Sequence, residues 1–253
     1  MLKDKVCIVT GAASGIGLAI AEMFAAEQAK VVMVDINEAQ LKEHCARLGS
    51  SYVVADLSKR LDCKNAVDFA AKTYGGVDIL VNVAGIQTVS PIEDFPEDKW
   101  DFMINLMLTA PFLLTRYSWP FMKEKKWGRV INLNSIHGLV ASEFKSAYVS
   151  AKHGLAGLTK TAALEGGAYG ITVNSICPSY VKTPLVDKQI SAQAINHGIS
   201  EAEVVEKIML AKAAVKKLLK PEEVANVVKF LCTDEAGMIT GSTMTIDGGW
   251  TAA

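Results

Sequence analysis

Short runs of apolar, largely β-branched residues recur along the chain and alternate with longer stretches in which the apolar positions follow a helical spacing. Such runs are typical of strands buried on both faces of a sheet. The predicted strands are Val6 to Val9, Val31 to Val34, Tyr52 to Ala55, Ile79 to Val81, Val130 to Leu133, Ile171 to Ile176 and Met244 to Ile246. Because each gap can hold a crossover helix, the pattern predicts an α/β fold, one domain over residues 1–253 with a seven-stranded, parallel, doubly wound sheet.

One segment interrupts this alternation. Between Ile176 and Pro221 no strand pattern occurs, and the apolar spacing over Thr183 to Lys217 predicts helices. An insertion after the carboxyl end of a strand is well placed to cover a ligand site at that edge of the sheet. We therefore expect a helical substrate lid at about residues 183–217.

Composition and charge narrow the possible partners. Half of the 253 residues are hydrophobic and the formal net charge is −1, a balance typical of a globular domain. The short cluster Lys123, Lys125 and Lys126 is interrupted by Glu124 and is expected to be a solvated helix end. No nucleic-acid partner is predicted.

The cysteines and the apolar stretches bear on location. Five widely spaced cysteines without a CxxC pair argue against a disulfide framework and against a metal site. Cys7 and Cys177 lie in apolar runs and are expected to be buried free thiols, which suits a reducing compartment. With no signal-peptide pattern after Met1 and no long apolar stretch, we expect a cytoplasmic protein without a membrane partner.

A glycine-rich turn follows the first predicted strand and opens a helix. Gly11, Gly15 and Gly17 are spaced as GxxxGxG, which differs from the general GxGxxG dinucleotide fingerprint. Glycines let a backbone approach a pyrophosphate, and a helix amino terminus offers free N–H groups. A plain tight turn is the alternative, and the position between a first strand and a first helix favours phosphate binding.

An acidic residue ends the second predicted strand. Asp35 lies 18 residues after Gly17 and can accept hydrogen bonds from ribose hydroxyls. Its charge would repel a 2′-phosphate, and neither Ile36 nor Asn37 supplies a cation. The pattern favours NAD over NADP, although Asp35 could instead cap a helix.

Two further strand ends carry candidate cofactor contacts. Asp56 and Leu57 could contact an adenine edge, or Asp56 could cap the helix that follows Ser58, and the sequence favours neither reading. The turn Asn82 to Gly85 has small residues that permit close approach of a flat ligand or simply make a tight turn.

The candidate catalytic groups lie in the middle of the chain. Tyr148 and Lys152 are four residues apart and share one helix face. A lysine cation lowers the pKa of a nearby phenol, which can then act as acid or base. Ser135 could hold a substrate oxygen or cap a helix, and Asn105 in a predicted helix interior suggests a polar role. Each signal alone is weak.

Together these motifs resemble the short-chain dehydrogenase/reductase family. TGxxxGIG, NxAG, a helical Asn, Ser, YxxxK, Pro178 after the sixth strand and the terminal Asp247-Gly248-Gly249 occur in the family's order over essentially the whole chain. The resemblance implies a Rossmann fold and a tetrad of Asn105, Ser135, Tyr148 and Lys152, with Tyr148 as acid/base. The implied NAD-binding positions are Gly11, Ser14, Gly15, Ile16, Gly17, Asp35, Asp56, Leu57, Asn82, Ala84, Gly85, Tyr148, Lys152, Pro178, Val181 and Thr183.

One residue departs from the family pattern. Ser179 stands where the family usually has glycine after Pro178. If that position requires a positive φ angle, serine would be strained there.

Four polar residues near the motifs suggest the substrate class. Gln87, His137, Lys145 and Gln189 are individually ordinary, but jointly they supply one cation, several donors and no acid, which suits a small carboxylate. The stretch from Ser135 to Tyr148 resembles family members that act on short 3-hydroxy acids. That resemblance implies that the four residues hold the carboxylate and that Tyr180 and Trp250 shape an apolar wall.

The implied reaction is oxidation of (R)-3-hydroxybutyrate to acetoacetate with NAD. Alternatives are a family member acting on another 3-hydroxy or 3-oxo acid, an acyl thioester or a sugar, and, more remotely, a non-catalytic NAD-binding protein. The family is commonly tetrameric through its fourth and fifth helices and its last strand, here Trp100 to Trp127, Ala147 to Tyr169 and the C-terminal segment, so the resemblance implies a homotetramer.

Overall fold

Seven parallel strands form one sheet in the computed structural model, which describes residues 2–252. The strand order is β3-β2-β1-β4-β5-β6-β7. The strands are β1 (Val6–Thr10), β2 (Lys30–Asp35), β3 (Ser51–Val54), β4 (Ile79–Asn82), β5 (Gly128–Leu133), β6 (Ile171–Pro178) and β7 (Thr243–Ile246). All seven predicted strands are confirmed, with ends that differ by one or two residues. The order reverses between β1 and β4, so a crevice opens beyond their carboxyl ends.

Helices cover both faces of the sheet. They are α1 (Gly15–Ala26), α2 (Glu38–Leu48), α3 (Arg60–Tyr74), α4 (Glu97–Ile104), α5 (Ala110–Lys125), α6 (Ser146–Gly166), α7 (Pro184–His197), α8 (Glu201–Glu203) and α9 (Pro221–Leu231). Phe24 of α1 and Val228 of α9 are fully buried in one apolar core, and Val67 of α3 and Leu114 of α5 are buried in the other. The predicted doubly wound fold is therefore confirmed. Cys7 and Cys177 are fully buried, as predicted.

The segment predicted to be a lid, residues 183–217, is helical over part of its length. α7 and α8 are followed by a π-helical turn, Val204–Met209, and residues 210–218 form no helix, so the helix prediction for 210–217 is wrong. The amide groups of Ala214 and Val215 donate to the carbonyl oxygen of Gly248 at 2.8 and 2.9 Å, which fastens this stretch to the C-terminal turn. Val186, Ile190, Val204 and Met209 give the lid a small core of its own.

None of the helices within residues 2–252 combines the length and the apolar character needed to cross a membrane.

Candidate active site

A cavity of about 290 Å³ lies at the carboxyl edge of the sheet, between the glycine turn, β4, β5, α6 and α7. It brings together most of the predicted site residues. Those that line it are Gly11, Ser14, Gly15, Ile16, Gly17, Asp35, Ala84, Gly85, Gln87, Ser135, His137, Lys145, Tyr148, Lys152, Pro178, Val181, Thr183 and Gln189. Sequence positions more than 170 residues apart thus meet at one site because the parallel strands end at one edge.

The glycine turn fits a dinucleotide pyrophosphate. Gly11 has a φ of +62°, and a Cβ there would lie 3.0 Å from the Cα of Ala84. A Cβ on Gly17 would overlap the carbonyl oxygen of Gly11. The turn is therefore closed to side chains, and the amino terminus of α1 is left facing the cavity with its free N–H groups.

Thr10 fixes the glycine turn to the Asn82–Gly85 turn. Its hydroxyl oxygen accepts hydrogen bonds from the amides of Val83 at 2.9 Å and Ala84 at 3.1 Å. The two turns that flank the crevice therefore keep a constant separation, as a bound flat ligand requires.

Asp35 faces the cavity in a fixed orientation. Its two carboxylate oxygens accept hydrogen bonds from the amides of Ala13 and Asn37, each at 3.1 Å. The amino terminus of α2 is capped by Asn37, whose side chain accepts from Gln40, and not by Asp35. The alternative of a helix cap at Asp35 is therefore wrong, and the carboxylate faces the cavity.

Three predicted cofactor residues lie outside the cavity lining. Asp56 accepts from the amide and hydroxyl of Ser58 at 3.1 and 2.7 Å, which stabilises the turn before α3. Leu57 is buried in the core beneath that turn. Asn82 is also buried, and its amide nitrogen donates to Oδ1 of Asn132 at 2.8 Å. The structure thus gives these side chains internal roles, because short polar residues at strand ends also satisfy the chain's own backbone and neighbours.

The groups of Ser135, Tyr148 and Lys152 converge at the centre of the cavity. The ammonium group of Lys152 lies 5.5 Å from the centre of the Tyr148 ring and donates to the carbonyl oxygen of Leu133 at 2.7 Å. Ser135 lies in the loop that follows β5, and its hydroxyl accepts a hydrogen bond from the amide of His137 at 3.2 Å. One helix and one strand end therefore supply the predicted acid/base group, its cation and its hydroxyl partner.

Burial controls the titration of this centre. It raises the pKa of Tyr148, and the nearby Ser135 hydroxyl lowers that pKa in part. It lowers the pKa of Lys152 to about 8. The pKa of Tyr148 therefore stays above its ordinary value despite the nearby Lys152, contrary to the expectation from sequence. The positive charge of an oxidised nicotinamide is of the sign that would lower it.

Asn105 lies beside this centre and not in its lining. It begins a π-helical turn, Asn105–Thr109, between α4 and α5, and that turn packs against α6. π-helical turns inside α-helices are frequent at functional sites. The structure does not place the side chain of Asn105 in the cavity, so its role in the tetrad stays a prediction.

A basic end of the cavity adjoins Tyr148, whose ring meets that of His137 edge to face. The ammonium group of Lys145 lies 3.2 Å from Nε2 of His137. Burial, followed by the Lys145 charge, lowers the pKa of His137 to about 4, and burial lowers the pKa of Lys145. His137 is therefore neutral near pH 7 and accepts the hydrogen bond, while Lys145 is the cation. Gln87 and Gln189 line the same cavity.

Trp250 supports the site from behind His137. The two rings meet edge to face with centres 6.3 Å apart, and Trp250 packs on the lid core together with Tyr180. Asp247 holds this C-terminal turn by accepting from the amides of Gly249 and Thr251 at 3.0 and 2.9 Å. Tyr180 lines the cavity, whereas Trp250 shapes it indirectly.

Sequence reasoning missed several lining residues. They are Val83, Ile86, Leu133, Asn134, Ile136, Ser179, Pro184, Leu185 and Val186. Most of them are apolar and lie next to a motif residue in the sequence, and that neighbourhood is the only signal that could have indicated them. Ser179 is not among the residues with a positive φ, and its amide donates to the carbonyl oxygen of Ile246 at 3.1 Å. The strain considered for serine at this position is therefore absent.

The fold and this arrangement of groups define a class of protein, and comparison with known sequences shows which class it is. The chain belongs to the short-chain dehydrogenase/reductase family, whose members use a nicotinamide dinucleotide. A family model described as Enoyl-(Acyl carrier protein) reductase matches residues 11–251.

Among curated relatives, the D-beta-hydroxybutyrate dehydrogenase of Rhizobium meliloti is 47% identical, with 98% of this chain and 99% of the relative covered. The D-beta-hydroxybutyrate dehydrogenase of Cupriavidus necator is 44% identical over the full length of both chains. The solved structure of levodione reductase superposes with a TM-score of 0.93 at 31% identity and covers both chains completely.

Proposed function

We propose that the protein oxidises (R)-3-hydroxybutyrate to acetoacetate with NAD, reversibly. The observation that carries this proposal is the basic end of the cavity, where Lys145 and His137 adjoin Tyr148, together with Gln87 and Gln189 in the lining of the same cavity. Full-length relatives that are 44–47% identical bear the name of this activity.

The chemistry of that cavity end fits a carboxylate. Lys145 supplies a partly buried cation, and the buried amide nitrogen of Gln87 has no hydrogen-bond partner within residues 2–252. An unpaired buried donor is costly, and a carboxylate oxygen would satisfy it. Among the residues that line the cavity, Asp35, which accepts from Ala13 in the glycine turn, is the one acid. An anionic substrate group is therefore drawn to the Lys145 end.

The chain's own residues then handle the proton of the C3 hydroxyl. Ser135 donates a hydrogen bond to the substrate oxygen and keeps it beside the phenol of Tyr148. Tyr148 accepts the hydroxyl proton, and Lys152 stabilises the phenolate form as its cation. When bound, the nicotinamide supplies the hydride acceptor. Anchoring the carboxylate at Lys145 fixes which face of C3 is presented, and positioning of this kind lowers the barrier substantially.

The cofactor is proposed to be NAD. The carboxylate of Asp35 has its orientation fixed by two backbone amides and can accept from ribose hydroxyls. A 2′-phosphate would meet this charge, and the adjoining Ile36 and Asn37 offer no cation. Gly11, Gly15 and the amino terminus of α1 would hold the pyrophosphate. Thr183, whose methyl group lies 3.1 Å from a Cβ position on Gly15, faces the same part of the cavity from the root of the lid.

We also propose a homotetramer and a cytoplasmic location. Large apolar side chains are exposed on α4, α5 and α6, among them Trp100, Phe112 and Leu164, and Met238 is 95% exposed near β7. These faces match the segments through which the family commonly assembles. All five cysteines are buried and free, which suits a reducing compartment. The mass measured by light scattering tests the assembly.

The substrate class is tested by comparing (R)-3-hydroxybutyrate with its methyl ester and with the coenzyme A thioester. The proposal predicts that kcat/KM falls strongly when the carboxylate is masked, because Lys145 and Gln87 then lose their anionic partner. Equal or better turnover of the thioester would instead support the alternative of an acyl-thioester reductase. Binding of NADH without turnover of any alcohol would support a non-catalytic dinucleotide-binding protein.

A further inference from the structure

A chain of buried polar side chains lies beneath the candidate active site, between α6 and the sheet. The amide nitrogen of Asn82 donates to Asn132 at 2.8 Å, and the amide nitrogen of Asn132 donates to the hydroxyl of Thr159 at 2.9 Å. The hydroxyls of Thr159 and Ser175 lie 2.9 Å apart. All four residues are 4% exposed or less. Buried polar groups cost free energy unless they are paired. We therefore expect this row of hydrogen-bonded side chains to have a role that apolar packing would not fill.

Thr159 is the member of this chain that belongs to a helix. Its hydroxyl donates to the carbonyl oxygen of Leu155 at 2.8 Å and accepts from Asn132. Because its single proton goes to Leu155, Ser175 donates to it as well. The oxygen therefore makes three hydrogen bonds, one along α6 and two to the sheet. The Thr159 hydroxyl therefore has a single favourable position relative to β5 and β6, the strands of Asn132 and Ser175.

The two sheet partners of Thr159, together with Asn82, form a row across three strands. Asn82 is in register with Asn132, and Asn132 is in register with Ser175. A helix that slid along the strands, or turned about its axis, would break both hydrogen bonds from the sheet to Thr159. Apolar contacts vary little with small shifts, whereas hydrogen bonds are lost within a fraction of an ångström.

The same helix face carries the catalytic lysine. Lys152 precedes Thr159 by seven residues, or about 10 Å along the helix axis. Its ammonium group donates to the carbonyl of Leu133 at 2.7 Å, and Asn134 donates to the carbonyl of Lys152 at 3.1 Å. Three consecutive residues of the β5 strand and loop, at positions 132–134, therefore bond to this face of α6, and Ser135 follows them directly.

We propose that Thr159 is a positioning residue: its hydroxyl, bonded to Asn132 of β5 and Ser175 of β6, sets where α6 lies over these two strands and thereby places Tyr148 and Lys152 opposite Ser135. The inference rests on the proposed acid/base function of Tyr148. Under this proposal, a residue outside the cavity sets the distance between α6, which carries Tyr148 and Lys152, and the loop after β5, which carries Ser135.

The test compares Thr159→Val and Thr159→Ser with the wild-type enzyme. Valine keeps the shape of threonine but leaves the Asn132 and Ser175 donors unpaired, whereas serine keeps the hydroxyl. A misplacement of the reacting groups predicts that kcat of the valine variant falls about tenfold or more, with KM for the hydroxy acid changed little. The acid limb of its kcat profile moves to higher pH, because a displaced Lys152 stabilises the phenolate less. The serine variant stays close to wild type.

Thr115→Val is the matched control. Thr115 is buried on α5, and its hydroxyl has no hydrogen-bond partner in the described part of the chain. The same substitution there removes a buried hydroxyl that makes no hydrogen bond to α6 or to the sheet, so kcat and its pH profile stay at the wild-type values. If Thr159→Val does not fold, Ser175→Ala removes one of the two bonds from the sheet and is expected to show the same changes at smaller size.

The outcomes separate this proposal from the proposed function. Wild-type enzyme is first assayed with (R)-3-hydroxybutyrate, and if another alcohol proves to be the substrate, the variants are compared on that alcohol. Unchanged kcat and pH profile in Thr159→Val would overturn the positioning role, as would a serine variant as impaired as the valine variant. Equal losses of kcat in Thr159→Val and Thr115→Val would also overturn it, because they would reflect general destabilisation.

Discussion

The ammonium group of Lys145 lies 3.2 Å from Nε2 of His137 at the end of the cavity that adjoins Tyr148. A cation and a buried imidazole at this distance cannot both be charged without repulsion. The imidazole is the neutral partner, since its pKa is lowered to about 4. The pair therefore presents a single positive charge, supported by an acceptor, to the substrate.

Replacing the cation should weaken substrate binding specifically. We expect Lys145→Met to raise KM for 3-hydroxybutyrate by about 10- to 100-fold, the equivalent of one charged hydrogen bond, while NADH affinity is retained. Lys160→Met is the control, because Lys160 is exposed on α6, the helix that begins directly after Lys145. A KM for the Lys145 variant equal to that of the control would mean that the carboxylate binds elsewhere. Steady-state kinetics and NADH fluorescence titration measure both quantities.

His137 should make the folded state sensitive to acid. Its folded pKa of about 4 lies below the ordinary value of 6.5, so between these values the unfolded chain binds a proton that the folded chain does not. The free energy of unfolding therefore falls as pH decreases through this window, by about 2 kcal/mol at pH 4.5 relative to neutral pH.

Urea unfolding at pH 7 and pH 4.5 measures that loss of stability. His137→Gln should lack this part of it, whereas His153→Gln, which changes an exposed histidine on α6, should keep it. Equal acid sensitivity in the wild type and in the His137 variant would show that another group is responsible.

The phenol of Tyr148 should be required for chemistry and dispensable for cofactor binding. Tyr148→Phe is expected to lower kcat by about 10²- to 10⁴-fold, the usual contribution of a general acid or base. The dissociation constant for NADH should change little, because the ring remains. Tyr169→Phe, at a half-exposed tyrosine beyond the end of α6, controls for loss of a phenol in general. Substantial residual turnover in Tyr148→Phe would show that a different group moves the proton.

The carboxylate of Asp35 should set the cofactor preference. Asp35→Ala removes the charge that opposes a 2′-phosphate, so the ratio of kcat/KM for NADP to that for NAD should rise by at least about tenfold. Asp68→Ala, at an exposed position on α3, should leave the ratio unchanged. A ratio that stays constant in the Asp35 variant would place the discrimination in another residue.

Much of the fold follows from local sequence, because buried parallel strands are short apolar runs with clear ends. The π-helical turns at Asn105 and Val204 could not be predicted, since one extra residue in a turn barely changes the helical spacing of apolar positions. The lid's final stretch was predicted helical, but its backbone bonds to Gly248, a partner more than 30 residues away. Tertiary hydrogen bonds of this kind leave no local signal.

The residues of the candidate site likewise divide into those that local sequence predicts and those that it does not. Gly11, Tyr148 and Lys152 can be predicted to meet at one cavity because their spacing reflects a turn and one helix face, and all three line it. Asp56 and Asn82 fit the same kind of reasoning, yet the structure directs their side chains to Ser58 and Asn132. A polar residue at a strand end can serve a ligand or the protein's own interior, and only the packing around it decides between the two.

The most direct test of the account is NADH formation at 340 nm with the two enantiomers of 3-hydroxybutyrate, each offered with NAD and with NADP. The account predicts rapid turnover of the (R) enantiomer with NAD and little with the other three combinations, because Lys145 anchors the carboxylate, Tyr148 faces the C3 hydroxyl and Asp35 opposes a 2′-phosphate. No turnover of either enantiomer by protein that still binds NADH would contradict the assignment of the substrate and require another ligand for the Lys145 end of the cavity.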